Sequence, residues 1–469
     1  MNLHLETKNY TKDIDISEQD IYTVIAGCIR DLDAPDYIAA SCEYGKAKYQ
    51  AIKRSGAFFV REEYNDITMP SEPDYPSVYL VCVNPEHNNY KFYKLEDLHD
   101  GNIMATYGRV GASSHEMYGE RTHIYPKRMY YIKLIEKLNK GYKDMSDIYL
   151  TDNTKDDNSP SEQLIDEDIN TPSTRLYKKL LSYSKKALEY SCISTNVTKM
   201  MVETTKELLI ELYNETSDVT NFNNILLKLF AVSPRKTTEV SCLLAKGVSD
   251  FETIVSREDN LYMAMHGVLE SSSRLSNTCK VNAFTDIDVY EATASQKEEV
   301  LSHLNDSLKC KVKNIYRVIC NEQKKRFDDY LKQNNITKVK QFWHGSRNEN
   351  WLSIVNTGLL LKPNAVITGK MLGNGIYFAP SSMKSWNYTS YHNTYWARGN
   401  SDTAFMGLYA CAYGNPLNVT GPGKYTQNIL ASKGCNCIHA HAGSYLRNDE
   451  IVFYDEAAML LNYIVEFGN

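Results

Sequence analysis

Three short motifs in the last third of the chain combine hydrogen-bonding groups, glycines and aromatic rings at close spacing. Gly345 has no Cβ, so the backbone there can approach a ligand closely. The flanking His344 and Ser346 carry groups able to reach sugar hydroxyls, and Tyr377 and Tyr388 offer ring faces for stacking. The combination favours a pocket for a flat, uncharged amide joined to a sugar, although each piece alone is also typical of turns and cores.

The order and spacing of these motifs are more specific than their parts. They read His-Gly-Ser-Arg at 344–347, Gly-Asn-Gly-Ile-Tyr-Phe-Ala at 373–379, Lys-Ser-Trp-Asn-Tyr at 384–388 and, near the C-terminus, Glu-Ile-Val-Phe-Tyr-Asp at 450–455. In this set the chain resembles the catalytic domain of the poly(ADP-ribose) polymerases, which has the fold of the diphtheria-toxin-like ADP-ribosyltransferases. The resemblance implies a His–Tyr–Glu set formed by His344, Tyr377 and Glu450.

The same resemblance implies NAD+ as the substrate and assigns roles to the pocket residues. The Gly345 backbone and the Ser385 hydroxyl would hold the nicotinamide carboxamide, and Tyr377 and Tyr388 would sandwich the ring. Lys384 occupies a family position near the acceptor carboxylate. The riboses and the adenosine end would be positioned by His344, Ser346 and Asn350.

The bond to be broken decides which of these residues matters most for rate. Cleavage of the nicotinamide–ribose bond passes through an oxocarbenium-like state, as glycoside hydrolysis does. Because the pyridine nitrogen of NAD+ is cationic, nicotinamide is a good leaving group and needs no general acid. The site therefore contributes orientation and a negative charge where positive charge develops. By resemblance that charge belongs to Glu450, which would also bind the 2′-hydroxyl of the nicotinamide ribose and orient the acceptor.

Departures from the family pattern leave the product of transfer open. Leu360 stands where relatives often carry Arg near the adenosine, and Asn374 replaces a Lys in the glycine turn. The segment 421–444 is short, so the donor and acceptor loops are expected to be reduced. Because Glu450 is retained, polymer formation on protein acceptors, including the enzyme itself, is the primary expectation. Single-unit transfer and a non-catalytic scaffold that binds NAD or ADP-ribose are the alternatives.

Length and composition limit the remaining possibilities. The 469 residues allow roughly three domains. A net charge of −6 excludes nonspecific polyanion binding by the chain as a whole, so any nucleic-acid contact needs a local patch. No apolar run approaches the ~18 residues that span a bilayer, and the N-terminus lacks a signal-peptide pattern. The 11 cysteines form no CxxC pair, which indicates reduced thiols in an intracellular protein without membrane contact.

A strand-rich and then basic stretch occupies the first third of the chain. Residues 1–70 are unassigned, with a weakly helical composition at 37–40. Residues 71–150 resemble a WGR domain, with a strand predicted at 78–83 and Tyr107-Gly108-Arg109 at the signature position, where Tyr replaces the family's Trp. Between Gly101 and Lys143, eight Lys and Arg oppose three Glu, so the local net charge is 8 − 3 = +5.

The WGR resemblance implies a partner and a location. Tyr107 and Arg109 would contact DNA, and the module would recognise DNA ends or nicks in a nuclear protein of the DNA damage response. An ordinary solvated helix face is the alternative explanation of the basic stretch, and the cytoplasm is the alternative location.

The remainder of the chain completes a multidomain α+β architecture. Residues 151–171 form an acidic linker, and helical periodicity follows in residues 172–300, where the family carries its helical regulatory domain. A plain helical spacer is the alternative for that region. Residues 301–469 would form the mixed α/β transferase domain, with a strand predicted at 311–318 and a helix at 321–333.

One group of potential metal ligands lies outside the family pattern. Cys435, Cys437, His439 and His441 alternate along the sequence, so a strand would place them on one face. Such nitrogen and sulfur ligands suit zinc. However, neighbours on one face of a strand lie about 7 Å apart, so four of them cannot converge on one ion without bending. The pattern therefore predicts an ordinary strand face, and no metal is expected.

Overall fold

The computed structural model divides the chain into two units. The structure describes residues 2–7, 10–15, 37–42, 47–54, 57–64, 75–111, 119–150, 170–191, 197–275, 284, 287–361 and 371–468. The first unit contains residues 1–152 together with 227–244, and the second contains 153–226 together with 245–469. Most of the acidic linker expected at 151–171 lies outside the described residues.

An antiparallel sheet of five strands opens the first unit. Its strands are β1 Asn2–Thr7, β2 Tyr10–Asp15, β3 Tyr37–Cys42, β4 Ala47–Arg54 and β5 Ala57–Tyr64, in the order β2-β1-β3-β4-β5. The helical tendency at 37–40 is wrong, because β3 pairs with β1 on one side and with β4 on the other. Pairing along both edges of a strand overrides a weak local preference.

A second antiparallel sheet covers the region that resembles a WGR domain. Its strands are β6 Val78–Asn84, β7 Asn89–Asp97, β8 Asn102–Arg109, β9 Arg121–Pro126 and β10 Lys143–Asp144, in the order β10-β6-β7-β8-β9, accompanied by helices α1 Tyr130–Asn139 and α2 Ser146–Tyr149. The strand predicted at 78–83 is confirmed. Buried side chains of β6, β7 and β8 pack with Tyr130 and Leu134 of α1 in one apolar core.

Tyr107 and Arg109 both lie on β8 and are engaged within the first unit. Tyr107 is paired opposite Tyr93 of β7, and the two rings stack with their centroids 5.7 Å apart. The Arg109 guanidinium donates to the carbonyl oxygens of Asn88 at 2.7 Å and Thr238 at 2.9 Å. Arg109 thus ties the segment 227–244 to the sheet.

A buried tyrosine attaches the same segment a second time. The Tyr90 hydroxyl donates to the Phe230 carbonyl oxygen at 2.8 Å and accepts from the Arg235 amide at 2.6 Å. Because the Tyr90 side chain is fully buried, water does not compete for these hydrogen bonds, and the low local dielectric strengthens them. Segment 227–244 is therefore an integral part of this unit.

Four helices open the second unit, where a helical region was predicted. They are α3 Pro172–Ser191, α4 Lys199–Asn214, α5 Val219–Val232 and α6 Phe251–Leu275, and α5 passes into the first unit from residue 227 on. The Thr198 side chain caps α4 by accepting from the Met201 amide at 3.1 Å. Over the part of the chain that the structure describes, no helix has both the length and the apolar character needed to cross a bilayer.

Two sheets and six short helices complete the second unit. The first sheet contains β11 Ile287–Glu291, β12 Val312–Cys320, β13 Lys340–Gly345, β15 Thr403–Cys411 and β19 Met459–Gly468, in the antiparallel order β11-β12-β19-β15-β13. The second contains β14 Ile376–Phe378, β16 Pro416–Val419, β17 Cys437–Ala440 and β18 Glu450–Phe453, in the order β14-β18-β17-β16 with β16 and β17 parallel. The described helices here are α7 Ala294–Ser302, α8 Asp306–Lys309, α9 Asn321–Gln333, α10 Trp351–Thr357, α11 Ser382–Trp386 and α12 Gln427–Ser432. The helix predicted at 321–333 is confirmed.

Helix α3 packs into the core beneath the sheets of its own unit, and helix α6 packs on α10. Leu176, Tyr177 and Leu180 of α3 are buried in the same hydrophobic core as Trp351 of α10. On α6, a Cβ at Gly267 would lie 2.9 Å from the backbone nitrogen of residue 353 on α10. Only glycine permits this approach of two helices without displacement. The helical region therefore shares its core with the sheets and is not a separate layer.

A buried carboxylate also joins α3 to the last strand. Glu466 of β19 is 3% exposed and forms an ion pair with Lys179 of α3. It also accepts hydrogen bonds from Asn314 Nδ2 at 2.9 Å and from the Tyr316 hydroxyl at 3.2 Å. A carboxylate this deeply buried is tolerated only when such partners compensate for lost hydration.

Lys179→Met should therefore destabilise the second unit by about 1–3 kcal/mol. Removing one partner of a fully buried pair costs about 3–5 kcal/mol, and the value is lower here because the Lys179 side chain is 39% exposed. Methionine preserves the apolar stem, so the change isolates the loss of charge. Urea unfolding measures the effect, and Lys178→Met, at an exposed position of the same helix, is the control. Equal midpoints for the two variants would contradict the role of Lys179.

Candidate active site

The first motif, residues 344–347, begins at the end of strand β13. Trp343 exchanges two backbone hydrogen bonds with Ala379, each 3.0 Å between nitrogen and oxygen, and this bridge joins the two sheets of the second unit. The bridge brings His344 against β14, where its Nδ1 lies 3.0 Å from the Tyr377 carbonyl oxygen. Because a carbonyl can only accept, Nδ1 carries the proton, which fixes the tautomer and the orientation of the ring.

The backbones of Gly345 and Ser385 are in direct contact. A Cβ at Gly345 would lie 1.9 Å from the Ser385 carbonyl oxygen, a separation that no side chain allows. Ser385 lies on α11 with only 4% of its surface exposed, and its hydroxyl donates to the Trp343 carbonyl oxygen at 2.9 Å. The structure thus brings together the two residues expected to hold one carboxamide.

Tyr377, at the centre of β14, is held by its hydroxyl end. The hydroxyl donates to the Gly373 carbonyl oxygen at 2.8 Å and accepts from the Leu372 amide at 3.2 Å. Burial raises the pKa of Tyr377 above its usual value, and the negative charge of Glu450 acts in the same direction. The ring is therefore a fixed, neutral phenol near that carboxylate.

Glu450, the carboxylate of the predicted set, is paired with a lysine. It begins β18, and its Oε1 lies 2.5 Å from the Lys384 ammonium on α11. Lys384 also donates to the Asn448 carbonyl oxygen at 3.1 Å. The two paired side chains are 12% and 13% exposed, so their attraction is less screened than that of a surface pair. The ion pair fixes the position of the carboxylate.

Tyr388 stands at the more exposed side of the site. Burial of part of its surface and then the charge of Glu450 raise the pKa of Tyr388 to about 12. Its ring lies nearly parallel to that of Trp396, with a centroid separation of 6.3 Å and an interplanar angle of 19°. Trp396 was not singled out from the sequence, because it lies beyond the Lys-Ser-x-x-Tyr motif in a segment with no family pattern.

Ser346 and Asn350 form a hydrogen-bonded chain that ends on the helical region. Asn350 Nδ2 donates to Ser346 Oγ and to Asn260 Oδ1 of α6, at 3.0 Å in each case. Asn350 is 7% exposed, and its Oδ1 accepts no hydrogen bond from the part of the chain that the structure describes. A buried acceptor without a donor favours a ligand hydroxyl at this point.

The alternating Cys and His residues around β17 do not meet at one point. The Cys437 thiol contacts the Tyr413 carbonyl oxygen at 3.3 Å, and burial raises the pKa of Cys437 to about 12. His439 and His441 instead face Asp449, the residue before Glu450. The predicted strand is confirmed as β17. Asp449 was missed because it belongs to a different segment of the chain.

Both a family model and individual relatives match this chain. The family model described as poly(ADP-ribose) polymerase catalytic domain matches residues 291–469, beginning ahead of the boundary expected at 301. The putative poly [ADP-ribose] polymerase-like 100L of Invertebrate iridescent virus 6 is 29% identical over 158 residues, which cover 32% of this chain and 83% of the viral protein.

Two longer relatives come from flies. The poly [ADP-ribose] polymerase of Drosophila melanogaster is 29% identical over 175 residues, and that of Sarcophaga peregrina is 36% identical over 125 residues. These matches cover 33% and 26% of this chain, but only 17% and 11% of the fly proteins. The chain therefore matches a small part of the length of either.

The first-unit sheet at 78–126 and the helices at 172–271 are consistent with WGR and regulatory domains. The resemblance read from the motifs is confirmed by the family match: residues 291–469 form a poly(ADP-ribose) polymerase catalytic domain, the domain type of NAD+ ADP-ribosyltransferases.

Proposed function

We propose that this chain transfers ADP-ribose from NAD+ to protein acceptors, including itself, and extends it into poly(ADP-ribose). The observation that carries the proposal is the Glu450 carboxylate, which is held by Lys384. Burial raises the pKa of Tyr377 and Tyr388, and the nearby charge of Glu450 raises both further. A fixed negative charge beside two ring faces is the arrangement that cleavage of a nicotinamide–ribose bond requires.

The nicotinamide end of NAD+ needs partners for its amide and a flat surface for its ring. The Gly345 backbone and the Ser385 hydroxyl are the amide partners, and their direct contact supports this assignment. The Ser385 hydroxyl donates to a backbone carbonyl and keeps its lone pairs, so it accepts from the amide nitrogen. Tyr377 and Tyr388 supply the ring faces. The ribose hydroxyls are assigned to His344, Ser346 and Asn350.

The proposed reaction needs no general acid, because the leaving group departs without being protonated. The bond between C1′ and the pyridinium nitrogen breaks, and its electron pair moves to the nitrogen, so nicotinamide leaves as a neutral molecule. Positive charge develops at C1′ and the ribose ring oxygen. Glu450 stabilises this charge while it accepts a hydrogen bond from the 2′-hydroxyl. The acceptor nucleophile then bonds to C1′, and its proton passes to water.

Single-unit transfer and a non-catalytic scaffold remain the alternatives. The short segment 421–444 favours single-unit transfer, because reduced loops offer little surface to a growing polymer. The partly buried ion pair favours catalysis over a scaffold, since NAD binding alone does not need a fixed carboxylate at that point. Incubation with labelled NAD+ followed by gel electrophoresis separates all three, as a smear, a sharp band or no labelled product.

Glu450→Gln should abolish polymer formation while leaving the binding of a nicotinamide analogue within about threefold of wild type. The amide preserves the shape of the side chain but removes the charge that stabilises the oxocarbenium-like state, a loss of on the order of 10²–10³ in rate. Labelled NAD+ measures transfer, and calorimetry measures binding.

The control for this variant is Glu298→Gln, which makes the same change on an exposed position of α7 and should behave as wild type. Intact binding together with unchanged polymer synthesis in Glu450→Gln would overturn the assignment of Glu450.

The proposal includes autoinhibition by the helical region. Asn260 of α6 accepts a hydrogen bond from the side-chain amide of Asn350, the residue that the proposal assigns to the ribose hydroxyls. A helix docked at that position competes with productive NAD+ binding until a partner shifts the equilibrium. Gly267 packs against the backbone of α10, so a small change there tests the idea without removing core residues.

Gly267→Ala should raise the basal transfer rate by about fivefold or more. The added methyl group would lie 2.9 Å from a backbone nitrogen of α10, so α6 must shift outwards. Alanine is otherwise the better helix former by about 0.5–1 kcal/mol, so any loss of stability reports the clash. Gly247→Ala, whose nearest neighbour would be Ser249 Oγ at 3.8 Å, is the matched control. A destabilised variant with unchanged basal activity would contradict autoinhibition by α6.

We also propose that DNA breaks are the activating partner, acting through the WGR-like module of a nuclear protein. The net charge of +5 between Gly101 and Lys143 supports a local DNA-binding patch. One of these positive charges is compensated from outside the stretch, because Lys127 pairs with Asp97, and Lys133 and Lys140 share Glu136, which the net charge already counts. Arg121 is exposed on β9 and is a candidate for a phosphate contact.

Arg109→Ala and Arg121→Ala should therefore separate stimulation from binding. Arg109→Ala removes one of the attachments of segment 227–244 to the sheet and leaves that of Tyr90, so nicked duplex should still bind within about threefold but stimulate at least about fivefold less. Arg121→Ala should weaken binding and reduce the salt slope by about 0.9, the value for one phosphate on duplex DNA. Fluorescence anisotropy at several salt concentrations measures binding, and labelled NAD+ measures stimulation over closed circular DNA. Equal activity with no DNA, closed circles and nicked duplex would refute activation by breaks.

A further inference from the structure

Three potential metal ligands converge at the corner between β17 and β18. His439 lies on β17, His441 follows that strand, and Asp449 immediately precedes β18. One ligand atom from each lies within 4.8 Å of the other two, and in the described ranges this is the one such group of three or more His, Cys, Asp or Glu side chains. The pattern found in the sequence therefore contributes its two histidines, and a carboxylate from the neighbouring strand completes the set.

The separations of the two histidine nitrogens from the Asp449 oxygen are close to those around a tetrahedral cation. His439 Nε2 lies 2.8 Å from Asp449 Oδ2, and His441 Nδ1 lies 3.6 Å from the same oxygen. Zinc bonds of about 2.0–2.1 Å place neighbouring ligand atoms of a tetrahedron about 3.4 Å apart. The two observed distances bracket that value, so shifts of a few tenths of an ångström would seat the ion. The imidazole rings are already stacked, with centroids 4.1 Å apart.

Each ligand is held from behind by an outer partner. His439 Nδ1 lies 2.7 Å from the Tyr413 hydroxyl, and His441 Nε2 lies 2.8 Å from Asn418 Oδ1. The Asp449 carboxylate also accepts from the Ala442 amide at 2.8 Å, through the oxygen that does not face the histidines. Such outer partners fix the tautomer and orientation of metal-binding side chains. The three atoms that remain, one from each residue, point at one another.

The hydrogen bond from His441 to Asn418 means that a positive charge is needed between His441 and Asp449. Because Nε2 donates to the Asn418 oxygen, Nδ1 of the neutral ring carries a lone pair, and this lone pair faces a carboxylate oxygen. Two lone pairs in this position repel unless a positive charge lies between them. That charge is either a proton on Nδ1 or a bound cation.

We propose that His439 Nε2, His441 Nδ1 and Asp449 Oδ2 bind a divalent transition-metal cation of the zinc class, with water in the fourth position. Two imidazoles and one carboxylate are typical ligands of such cations, whereas magnesium and calcium prefer oxygen alone. The neighbouring Cys437 is not part of the set, because its thiol is directed to the Tyr413 carbonyl oxygen.

The ion would close the connection formed by residues 441–449. This connection immediately precedes Glu450. It contains Asn448, whose carbonyl oxygen accepts a hydrogen bond from Lys384. A metal bridge between β17 and the start of β18 would therefore order the backbone next to the Lys384–Glu450 pair. The inference stands on the ligand geometry and does not depend on the proposed transfer activity.

Metal binding by the full chain tests the inference directly. After treatment with EDTA and under reducing conditions, calorimetry with Zn2+ should give a saturable site that His441→Ala and Asp449→Asn weaken by more than about 100-fold, beyond the loss usual for an outer partner alone. His392→Ala, which removes a partly exposed histidine paired with Asp402 at 2.9 Å, is the matched control and should bind as wild type. Equal binding by wild type and His441→Ala, or none by wild type, would overturn the proposal and leave a proton-bridged His–Asp network.

Cobalt provides an independent readout of the ligands. Co2+ bound at this site should show the visible absorption of a tetrahedral nitrogen–oxygen site without a thiolate-to-cobalt band, and Zn2+ should displace it. A thiolate band lost on Cys437→Ser would assign the ion to cysteine and refute the proposed set. Hydrogen exchange should show slower exchange of residues 441–449 with Zn2+ in the wild type and no change in His441→Ala. An unchanged exchange rate in the wild type would contradict the closing of the connection.

Discussion

Two backbone hydrogen bonds between Trp343 and Ala379 set the geometry on which the site depends. They join the edge of the five-stranded sheet to the edge of the four-stranded sheet, at the residue just before the first motif and at the last residue of the second. His344 and Tyr377 are consequently neighbours, although 33 residues separate them in sequence. The pairing of β14 with β18 then brings Glu450 to the same end, since Phe378 is opposite Ile451. Strand pairing thus brings together His344, Tyr377 and Glu450, the three residues of the predicted set, from three segments of the chain.

The helical region and the candidate site of the second unit share one hydrophobic core. Leu176, Tyr177 and Leu180 of α3 are buried with the sheet residues, and Glu466 is compensated in part by Lys179 of that helix. Close-packed cores transmit strain and do not deform gradually. Removing the helices would expose the core of the transferase itself. The proposed autoinhibition would therefore act through small displacements of α6 at Asn260 and Gly267, with the rest of the core in place.

The sequence made the motif residues predictable and their long-range partners unpredictable. His344, Gly345 and Ser385 could be identified because a close backbone approach needs glycine, and because the motifs keep their family order. The contacts of Asn260 with Asn350 and of His439 with Asp449 link segments whose local patterns are ordinary. No period or spacing within one segment reports such a contact. Likewise, the helical tendency at 37–40 yields to pairing with strands on both sides.

The Tyr107-Gly108-Arg109 motif on β8 illustrates how a motif can be retained while the partners of its residues define its role. Asn88 has a left-handed backbone conformation, φ 46°, which asparagine tolerates better than most residues. In this conformation its carbonyl and side-chain oxygens both accept from Arg109, and its side-chain oxygen also accepts from the Val240 amide.

Three hydrogen bonds of the Arg109 guanidinium are thereby directed to protein acceptors at Asn88 and Thr238. A phosphate could recruit this guanidinium only by displacing contacts that hold segment 227–244. If DNA binds this sheet, Arg109 is therefore better placed to transmit the binding to segment 227–244 than to make the first contact with DNA. The salt-sensitive part of any DNA affinity must then come from exposed basic side chains of the same sheet and helix α1.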